Sequence, residues 1–463
     1  MVVSTIFSKH PFALWAKLPY GEKNPASFHP LLCHMIDVAT VAGAMWRDVL
    51  SATARRKTAA ALGLSEMQAE RWIEYLSALH DLGKASPAFQ LREEAGNLAS
   101  MYASFGPRPP GIKASDCPHG RVTAKELPDL LNMDKALAQK LSAAIGGHHG
   151  LFPTSDDLQN RCPTNGVGKT SWKAVRKEIV TCLADLLGIS SDESPKHIDH
   201  ATLMFMAGLV SVADWVGSND EFFPYFVSDW RNIPRTDPHE YLKRAQTQAV
   251  SALHRLGWTG WAQSSQSLSF TDLFPFPPRP LQQTAISVAG QMAGIGIVIV
   301  EAPMGEGKTE AALYLADRWG IATGAPDESS RRVYAGVRGC YVALPTQATS
   351  NQMFRRVRQF LAHRFPESVV NLQLLHGHAA LSAEFQVMKT NGDKVFTLDG
   401  VYSDEECSPQ AMSVVAAEWF THRKRGLLAP FGVGDGRSGA DGRTSHKTRF
   451  RTPVRIGAQD RHY

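Results

Sequence analysis

The sequence has few cysteines and no long apolar run. Six cysteines are scattered over 463 residues without a CxxC pair, which predicts neither a zinc site nor a disulfide framework. The longest apolar candidate, Ala201–Val212, is shorter than the ~18–20 residues that a membrane-spanning helix needs. The N-terminus lacks the basic start and apolar core of a secretory signal. These absences predict a cytoplasmic protein with reduced thiols and no membrane partner.

Composition and charge narrow the function classes further. With 43% hydrophobic and 20% charged residues, the chain is neither disordered, collagen-like nor a small disulfide scaffold, and its length suggests two or three domains. The net charge is +5, but residues 435–463 alone carry seven Lys/Arg against three Asp. The rest of the chain is nearly neutral, so any nucleic-acid binding has to come from local grooves.

Four regions differ in their residue patterns. Residues 1–262 show helical spacing of apolar residues, and residues 263–280 form a Ser- and Pro-rich linker. Residues 281–434 alternate helical patterns with β-branched runs at 295–300 and 339–345, which predicts a parallel sheet. We expect residues 435–463 to be a disordered basic tail. The predicted fold class is a mainly α-helical bundle followed by a partial α/β domain.

The helical region places ionisable residues on apolar helix stripes in four separate segments. An ionisable group on a buried stripe is costly unless it is paired or binds a metal. Imidazole and carboxylate together suit a transition metal, and one carboxylate can bridge two ions that promote phosphodiester hydrolysis. The residues concerned are His34, His80 with Asp81, His148 with His149, and Asp214.

Each of these residues could instead have a purely structural role in the core. A single buried histidine is more often a satisfied core residue than a ligand, but the ordered set favours a metal site. His119, at a loop-to-helix boundary, is a further candidate ligand, whereas we expect His29 at the surface or at a helix start. Lys84 is equally compatible with contact to a phosphate and with a solvated position.

The ordered set resembles the HD phosphohydrolase superfamily. Three motifs within residues 28–220 make the resemblance more specific. They are HDLGKASPAFQ, GGHHG and ADWVGSN, and they resemble the HD nuclease domain of CRISPR-associated helicase–nucleases of type I interference. The resemblance implies degradation of single-stranded DNA with two divalent ions (Mn, Fe, Co or Ni, with Mg possible). It assigns one ion to His34, His80, Asp81 and Asp214 and the other to Asp81, His119, His148 and His149. We take Asp81 and Lys84 as the candidate catalytic residues.

A second motif, EAPMGEGKTEAALYLA, predicts a phosphate-binding loop between a strand and a helix. Backbone N–H groups from Gly305 through Gly307 to Thr309 can bind phosphates, Lys308 can reach the terminal phosphates and Thr309 can hold Mg²⁺. Ala302 replaces the first glycine of the strict pattern, and this form resembles superfamily 2 helicases. The resemblance adds Gln282 as an adenine-reading residue and likens residues 343–354 to a DNA-contacting motif, although an ordinary strand-to-helix turn also explains that stretch.

The helicase resemblance stops after Gly434. The Asp-Glu motif expected next is absent, and SDEECS at 403–408 follows no predicted strand. We therefore expect a partial RecA-like domain with lost ATPase and helicase activity, and a frameshift or a naturally short form would each explain the tail.

Three functions remain open on the sequence. The first is a metal-dependent single-stranded DNA nuclease of CRISPR defence, whose implied partner is an RNA-guided surveillance complex. The second is an HD phosphohydrolase of small nucleotides, and the third is an inactive remnant that only binds partners.

Overall fold

The computed structural model describes most of the chain in two compact units. Unit 1 holds residues up to Ala252, and unit 2 begins at Leu253. The described ranges are 10–259, 267–291, 297–323, 339–375, 385–388, 414–415, 425–435 and 454–457, without residues 23, 106–109, 112, 367 and 369.

Unit 1 is a bundle of α-helices, as the apolar spacing predicts. Its helices, in chain order, are α1 Leu31–Ala44, α2 Ala52–Leu62, α3 Glu66–Ala78, α4 Pro87–Gln90, α5 His119–Glu126, α6 Lys135–Gly146, α7 Ser155–Asn160, α8 Thr164–Val167, α9 Thr170–Leu186, α10 His200–Gly217 and α11 Pro238–Arg255.

Helix α1 lies at the centre of unit 1. Every residue from Leu31 to Ala44 is buried, and the helix packs against α3 and α10. A helix that is apolar on all sides needs neighbours on all sides, which explains this position. Any polar side chain on α1 therefore has to find its partners inside the protein.

Helix α3 ends immediately before the candidate ligands His80 and Asp81. A capping box joins Ser65 and Gln68 at its start, and its buried face includes Trp72, Ile73 and Leu76. The chain then tightens into a 3-10 turn, Leu79–Lys84, in which every residue is buried.

A two-stranded antiparallel sheet closes one side of unit 1. Strand β1 (Trp15–Lys17) pairs with β2 (His29–Pro30) directly before α1. The Gln90 side chain holds β1, because its Nε2 donates to the Trp15 carbonyl at 2.8 Å and its Oε1 accepts from the Trp15 N–H at 3.2 Å.

By length and composition alone, helix α10 could cross a membrane. The sequence analysis considered only its inner part, Ala201–Val212, which is too short to do so. Just over half of it, 56%, is buried inside the protein, and it packs against α1 and α6. It also carries the buried Asp214. These contacts are those of a core helix.

Unit 2 is built on a parallel sheet. Its strands are β3 Cys340–Leu344, β4 Val370–Leu375, β5 Val414–Val415, β6 Phe431–Asp435 and β7 Val454–Gly457, in the spatial order β5-β4-β6-β3-β7. Its helices are α12 Phe270–Leu273, α13 Pro280–Ala289, α14 Lys308–Thr323 and α15 Gln347–Arg364. Parallel pairing, an α/β alternation and a small sheet confirm the predicted partial RecA-like class.

Two sequence predictions about unit 2 are wrong. The predicted strand at 295–300 is irregular over its described part, residues 297–300, where Ile297 is 90% exposed. The tail that we expected to be disordered contains β7, which pairs with β3. Strand β3 has β6 on one side and β7 on the other, so neither of its edges is open to a further strand. The cluster 403–408 lies outside the described residues.

Candidate metal centre

The carboxylate of Asp81 divides the site into two halves. Its Oδ2 lies 3.0 Å from the Nε2 of His34 and 3.3 Å from the Nε2 of His80. Its Oδ1 lies 3.2 Å from the Nε2 of His119 and 3.6 Å from the Nε2 of His148. One side chain therefore presents a separate oxygen to each pair of imidazoles.

Asp214 completes the half that contains His34 and His80. Its Oδ1 lies 3.4 Å from the Nε2 of His34 and 3.6 Å from that of His80. The hydroxyl of Ser218, one turn later, donates to the same oxygen at 2.8 Å and fixes the carboxylate. Helices α1 and α10 thus each contribute a ligand-type atom to this half.

His149 belongs to the other half. Its Nε2 lies 2.9 Å from the Nε2 of His119, and its ring is 4.1 Å from that of His148 between centroids. The GGHH turn follows α6, and Gly146 allows close packing, because a Cβ there would collide with the backbone of Gly120 in α5. Two small residues at the helix crossing thus bring the three imidazoles together.

The imidazoles are oriented for coordination by their Nε2 atoms. The Nδ1 of His80 pairs with the Ser77 carbonyl at 2.8 Å, and the Nδ1 of His148 pairs with the Ile145 carbonyl at 2.8 Å. A backbone partner at Nδ1 fixes the tautomer that leaves Nε2 as the ligand. Within the described part of the chain, the buried Nε2 atoms of His34, His80 and His148 make no hydrogen bond, although each faces an Asp81 oxygen at 3.0–3.6 Å. Buried nitrogens that make no hydrogen bond fit a divalent ion, and imidazole with carboxylate is a suitable donor set.

The protonation states follow from burial and from the two carboxylates. Burial lowers the pKa of His148 to about 3, and it also lowers the pKa values of His34, His119 and His149. Burial opposes a charge on His80 as well, but Asp81 and Asp214 raise its pKa to about 9. Most imidazoles of the site are therefore neutral, the form in which they bind metals.

The ionised form of Asp81 is stabilised by its neighbours. Burial works against ionisation, yet the positive charges of His80 and Lys84 keep the pKa of the Asp81 carboxyl well below its usual range. The Nζ of Lys84 lies 2.6 Å from Oδ2 of Asp81 and 3.3 Å from the Ala16 carbonyl. Lys84 is therefore a buried member of the site, and the solvated alternative is wrong.

A second lysine, Lys17, was missed by the sequence analysis. Burial lowers its pKa to about 8, and the nearby Asp214 partly offsets that effect. Its Nζ donates to the Gly217 carbonyl at 3.2 Å. The residue lies in β1, far from the motifs along the chain, and no local pattern distinguishes it.

Of the two expectations for His29, the surface position is wrong, whereas the helix-start position holds, because His29 stands two residues before Leu31, the first residue of α1. His29 is 1% exposed, and its Nε2 lies 2.8 Å from Oδ2 of Asp37, whose other oxygen accepts from the Tyr241 hydroxyl at 3.0 Å. The antiparallel pairing of β2 with β1 carries His29 inwards, next to α1. Asp37 on the fully buried α1 obtains its partners in this way.

The glycine-containing loop of unit 2 has two glycines in the left-handed region of backbone conformation. Gly305 and Gly307 both adopt positive φ, at 84° and 78°. The Nε2 of Gln282 donates to the Gly307 carbonyl at 3.2 Å, and Nζ of Lys308 donates to the Ala302 carbonyl at 2.6 Å. The hydroxyl of Thr309 accepts from Arg356 at 3.2 Å. The residues predicted to bind nucleotide therefore lie together, and their role stays a prediction.

A helical bundle whose His and Asp residues surround one shared carboxylate defines unit 1 as an HD domain. Residues 15–223 match the family model described as "Cas3, HD domain". This match covers just under half of the chain, and the similarity to Cas3 proteins continues beyond it.

Two curated relatives extend the comparison. The chain is 37% identical over 433 residues to a CRISPR-associated endonuclease/helicase Cas3 of Thermus thermophilus, covering 91% of this chain and 42% of the relative. It is 29% identical over 457 residues to a CRISPR-associated nuclease/helicase Cas3 of Streptococcus thermophilus, covering 91% and 45%.

A solved structure agrees with these relatives. A crystal structure described as T. fusca Cas3-ATP matches with a TM-score of 0.70 at 26% identity, over 92% of this chain and 43% of that one. The chain spans less than half the length of the relatives that it matches.

Proposed function

We propose that unit 1 is a metal-dependent phosphodiesterase that cleaves single-stranded DNA. This proposal rests on the position of Asp81 between two groups of imidazoles. One carboxylate oxygen lies near His34, and the other lies near His119. Asp81 would be shared between the two ions. His34, His80 and Asp214 would hold one ion, and His119, His148 and His149 the other.

The chain's own residues prepare the substrate site. Two divalent ions at such a centre supply Lewis acidity and a hydroxide nucleophile near neutral pH. The ammonium groups of Lys84 and Lys17 place positive charge beside the carboxylates, where they can bind the scissile phosphate and offset its developing charge. Burial favours the neutral form of the His34, His119, His148 and His149 imidazoles.

DNA is the favoured substrate over a small nucleotide. The similarity to nuclease–helicases runs through unit 2, and a hydrolase of free nucleotides has no use for a second unit of this kind. The phosphate-binding loop with Gln282, Lys308 and Thr309 would bind ATP with Mg²⁺. By the same resemblance, the partner is an RNA-guided surveillance complex in the cytoplasm.

The cleavage reaction does not require ATP in this proposal, because all seven ligand-type residues lie in unit 1. The test is cleavage of circular single-stranded DNA by metal-stripped protein without ATP, after addition of Mn²⁺, Co²⁺, Ni²⁺ or Mg²⁺. We expect cleavage only with metal, and its loss in Asp81→Asn but not in the control Asp220→Asn, which changes an exposed carboxylate.

The alternatives give different results. Turnover of nucleoside phosphates with no DNA cleavage would establish the small-nucleotide hydrolase. Metal binding without turnover of either substrate would overturn the enzymatic proposal in favour of a binding role.

A further inference from the structure

Two buried cysteines lie together beside the metal centre. Cys117 and Cys162 are 45 positions apart in the sequence, but their Sγ atoms are 3.8 Å apart and each residue is only 3% exposed. Both belong to a small apolar cluster with Ala88, Val122 and Val167. Sulfur atoms at van der Waals distance need a modest approach to reach the about 2.05 Å of a disulfide bond.

The surroundings of the pair favour reaction of Cys162. Contact with the Cys117 thiol and the positive charges of Lys125 and Arg121 lower the pKa of Cys162, although burial opposes this. Lys125 is held there because its Nζ donates to the Cys162 carbonyl at 3.1 Å. A thiol close to positive charge carries more of the nucleophilic thiolate.

The pair lies just beneath the surface. Arg161 and Pro163, on either side of Cys162, are both exposed, as is Asp116 before Cys117. The residues next to both cysteines therefore reach solvent.

We propose that Cys117 and Cys162 form a reversible disulfide when a hydroperoxide is present. The Cys162 thiolate attacks one oxygen of the peroxide, the O–O bond breaks, and a sulfenic acid and one water (or alcohol) form. The Cys117 sulfur then attacks the sulfenic sulfur, the S–S bond forms, the S–O bond breaks and water leaves. Two thiols lose two electrons, the peroxide gains them, and a dithiol reductant reverses the reaction.

The disulfide would close a loop that carries half of the candidate metal ligands. The segment between the two cysteines contains α5, α6 and α7 and supplies His119, His148 and His149. Cys117 stands two residues before His119, the first residue of α5. A covalent closure of this segment restricts its local opening. Oxidation therefore stiffens the half of the site opposite His34.

The experiment is disulfide mapping of the full chain, stripped of metal and treated with hydrogen peroxide under chelator. Trypsin cleaves after Lys113 and Arg121 and after Arg161 and Lys169, so the expected product joins peptides 114–121 and 162–169. Its mass is about 2 Da below the sum of the two peptides, because two hydrogens are lost. Thiols titrated after denaturation fall by two from six, and dithiothreitol restores them.

Variants and hydrogen exchange complete the test. Cys117→Ser and Cys162→Ser should each abolish the linked peptide, whereas Cys182→Ser, a change at a half-buried thiol elsewhere in unit 1, should retain it. Amide exchange in peptides from residues 118–160 should slow after oxidation and return after reduction. Overoxidised but unlinked cysteines, or linkage to another cysteine in the wild-type chain, would overturn the proposal. Unchanged exchange in a fully linked protein would overturn the stiffening.

Discussion

Gly83 lies directly against the carbonyl oxygen of His119. A Cβ at position 83 would come closer to that oxygen than real Cβ atoms do, and it would also crowd the backbone nitrogen of Thr123. The Gly83 N–H donates to the Thr123 hydroxyl at 2.9 Å, and that hydroxyl donates to the His80 carbonyl at 3.0 Å. Contact between this turn and α5 therefore sets the distance between Asp81 and His119.

The first prediction concerns this contact. Gly83→Ala should push α5 away and cost on the order of 1–3 kcal/mol of unfolding free energy, as overpacking does. We also expect a loss of Ni²⁺ affinity by calorimetry. Gly290→Ala is the matched control, because a Cβ there meets nothing within 4 Å. Equal behaviour of the two variants would contradict the role of Gly83.

The second prediction separates the two halves of the site. Of the two Asp81 oxygens, the Nε2 of His119 lies near Oδ1 and the Nε2 of His34 near Oδ2, so His119→Ala and His34→Ala each remove a nitrogen from a different half. Each variant should bind one Ni²⁺ fewer than the wild type, measured by metal analysis after dialysis, and each should lose DNA cleavage. Loss of all bound metal in both variants would show that the halves do not bind ions separately.

The third prediction concerns Lys84. Lys84→Met should lower the cleavage rate by roughly 100-fold, because it removes a positive charge that can stabilise the scissile phosphate. Metal content should stay the same, which distinguishes a role at the substrate from one in holding the ions. Lys140→Met, at an exposed lysine of α6, is the control. A variant with normal cleavage would remove Lys84 from the proposed mechanism.

The fourth prediction is a pH dependence of stability that involves Glu74. Burial raises the pKa of Glu74 to about 7, although Arg47, at 3.1 Å, opposes the shift. The folded state therefore binds this proton more tightly than the unfolded state. The resulting stabilisation is complete below the unfolded pKa near 4.5 and is lost as the pH rises through about 7.

Glu74→Gln should remove this dependence. Relative to wild type, the variant should gain on the order of 2–3 kcal/mol in unfolding free energy between pH 4.5 and pH 8, at about 1.4 kcal/mol per pKa unit. Urea unfolding followed by circular dichroism measures the difference, with Glu240→Gln, at an exposed glutamate of α11, as control. A constant difference between Glu74→Gln and wild type across this range would refute the prediction.

The helical class of unit 1 and the grouping of the ligand-type residues could be predicted because each motif is local. His80 and Asp81 are adjacent, and so are His148 and His149, so each pair comes from one local segment. The structure places them in the turns that follow α3 and α6 and not on the helix stripes that we expected. Lys17 could not be predicted, since its place depends on the pairing of β1 with β2 and on the Gln90 side chain. The same pairing buried His29 against expectation.

Of the two strands predicted in unit 2, the one at 339–345 is confirmed by β3, and the one at 295–300 failed for a related reason. A β-branched run such as 295–300 has the local preference for a strand, but a strand also needs an open neighbouring edge. Strand β3 pairs instead with Val454–Gly457, a segment whose Gly- and Arg-rich surroundings gave no indication of a strand. Competition between distant segments for one edge is not visible in either segment alone.

The single carboxylate of Asp81 has a thermodynamic consequence for metal loading. An ion bound on one side would fix the rotation of this side chain and pre-place its other oxygen, so the second ion binds to an already ordered group. The two positions would then be thermodynamically coupled, with the affinity of each reciprocally linked to occupancy of the other.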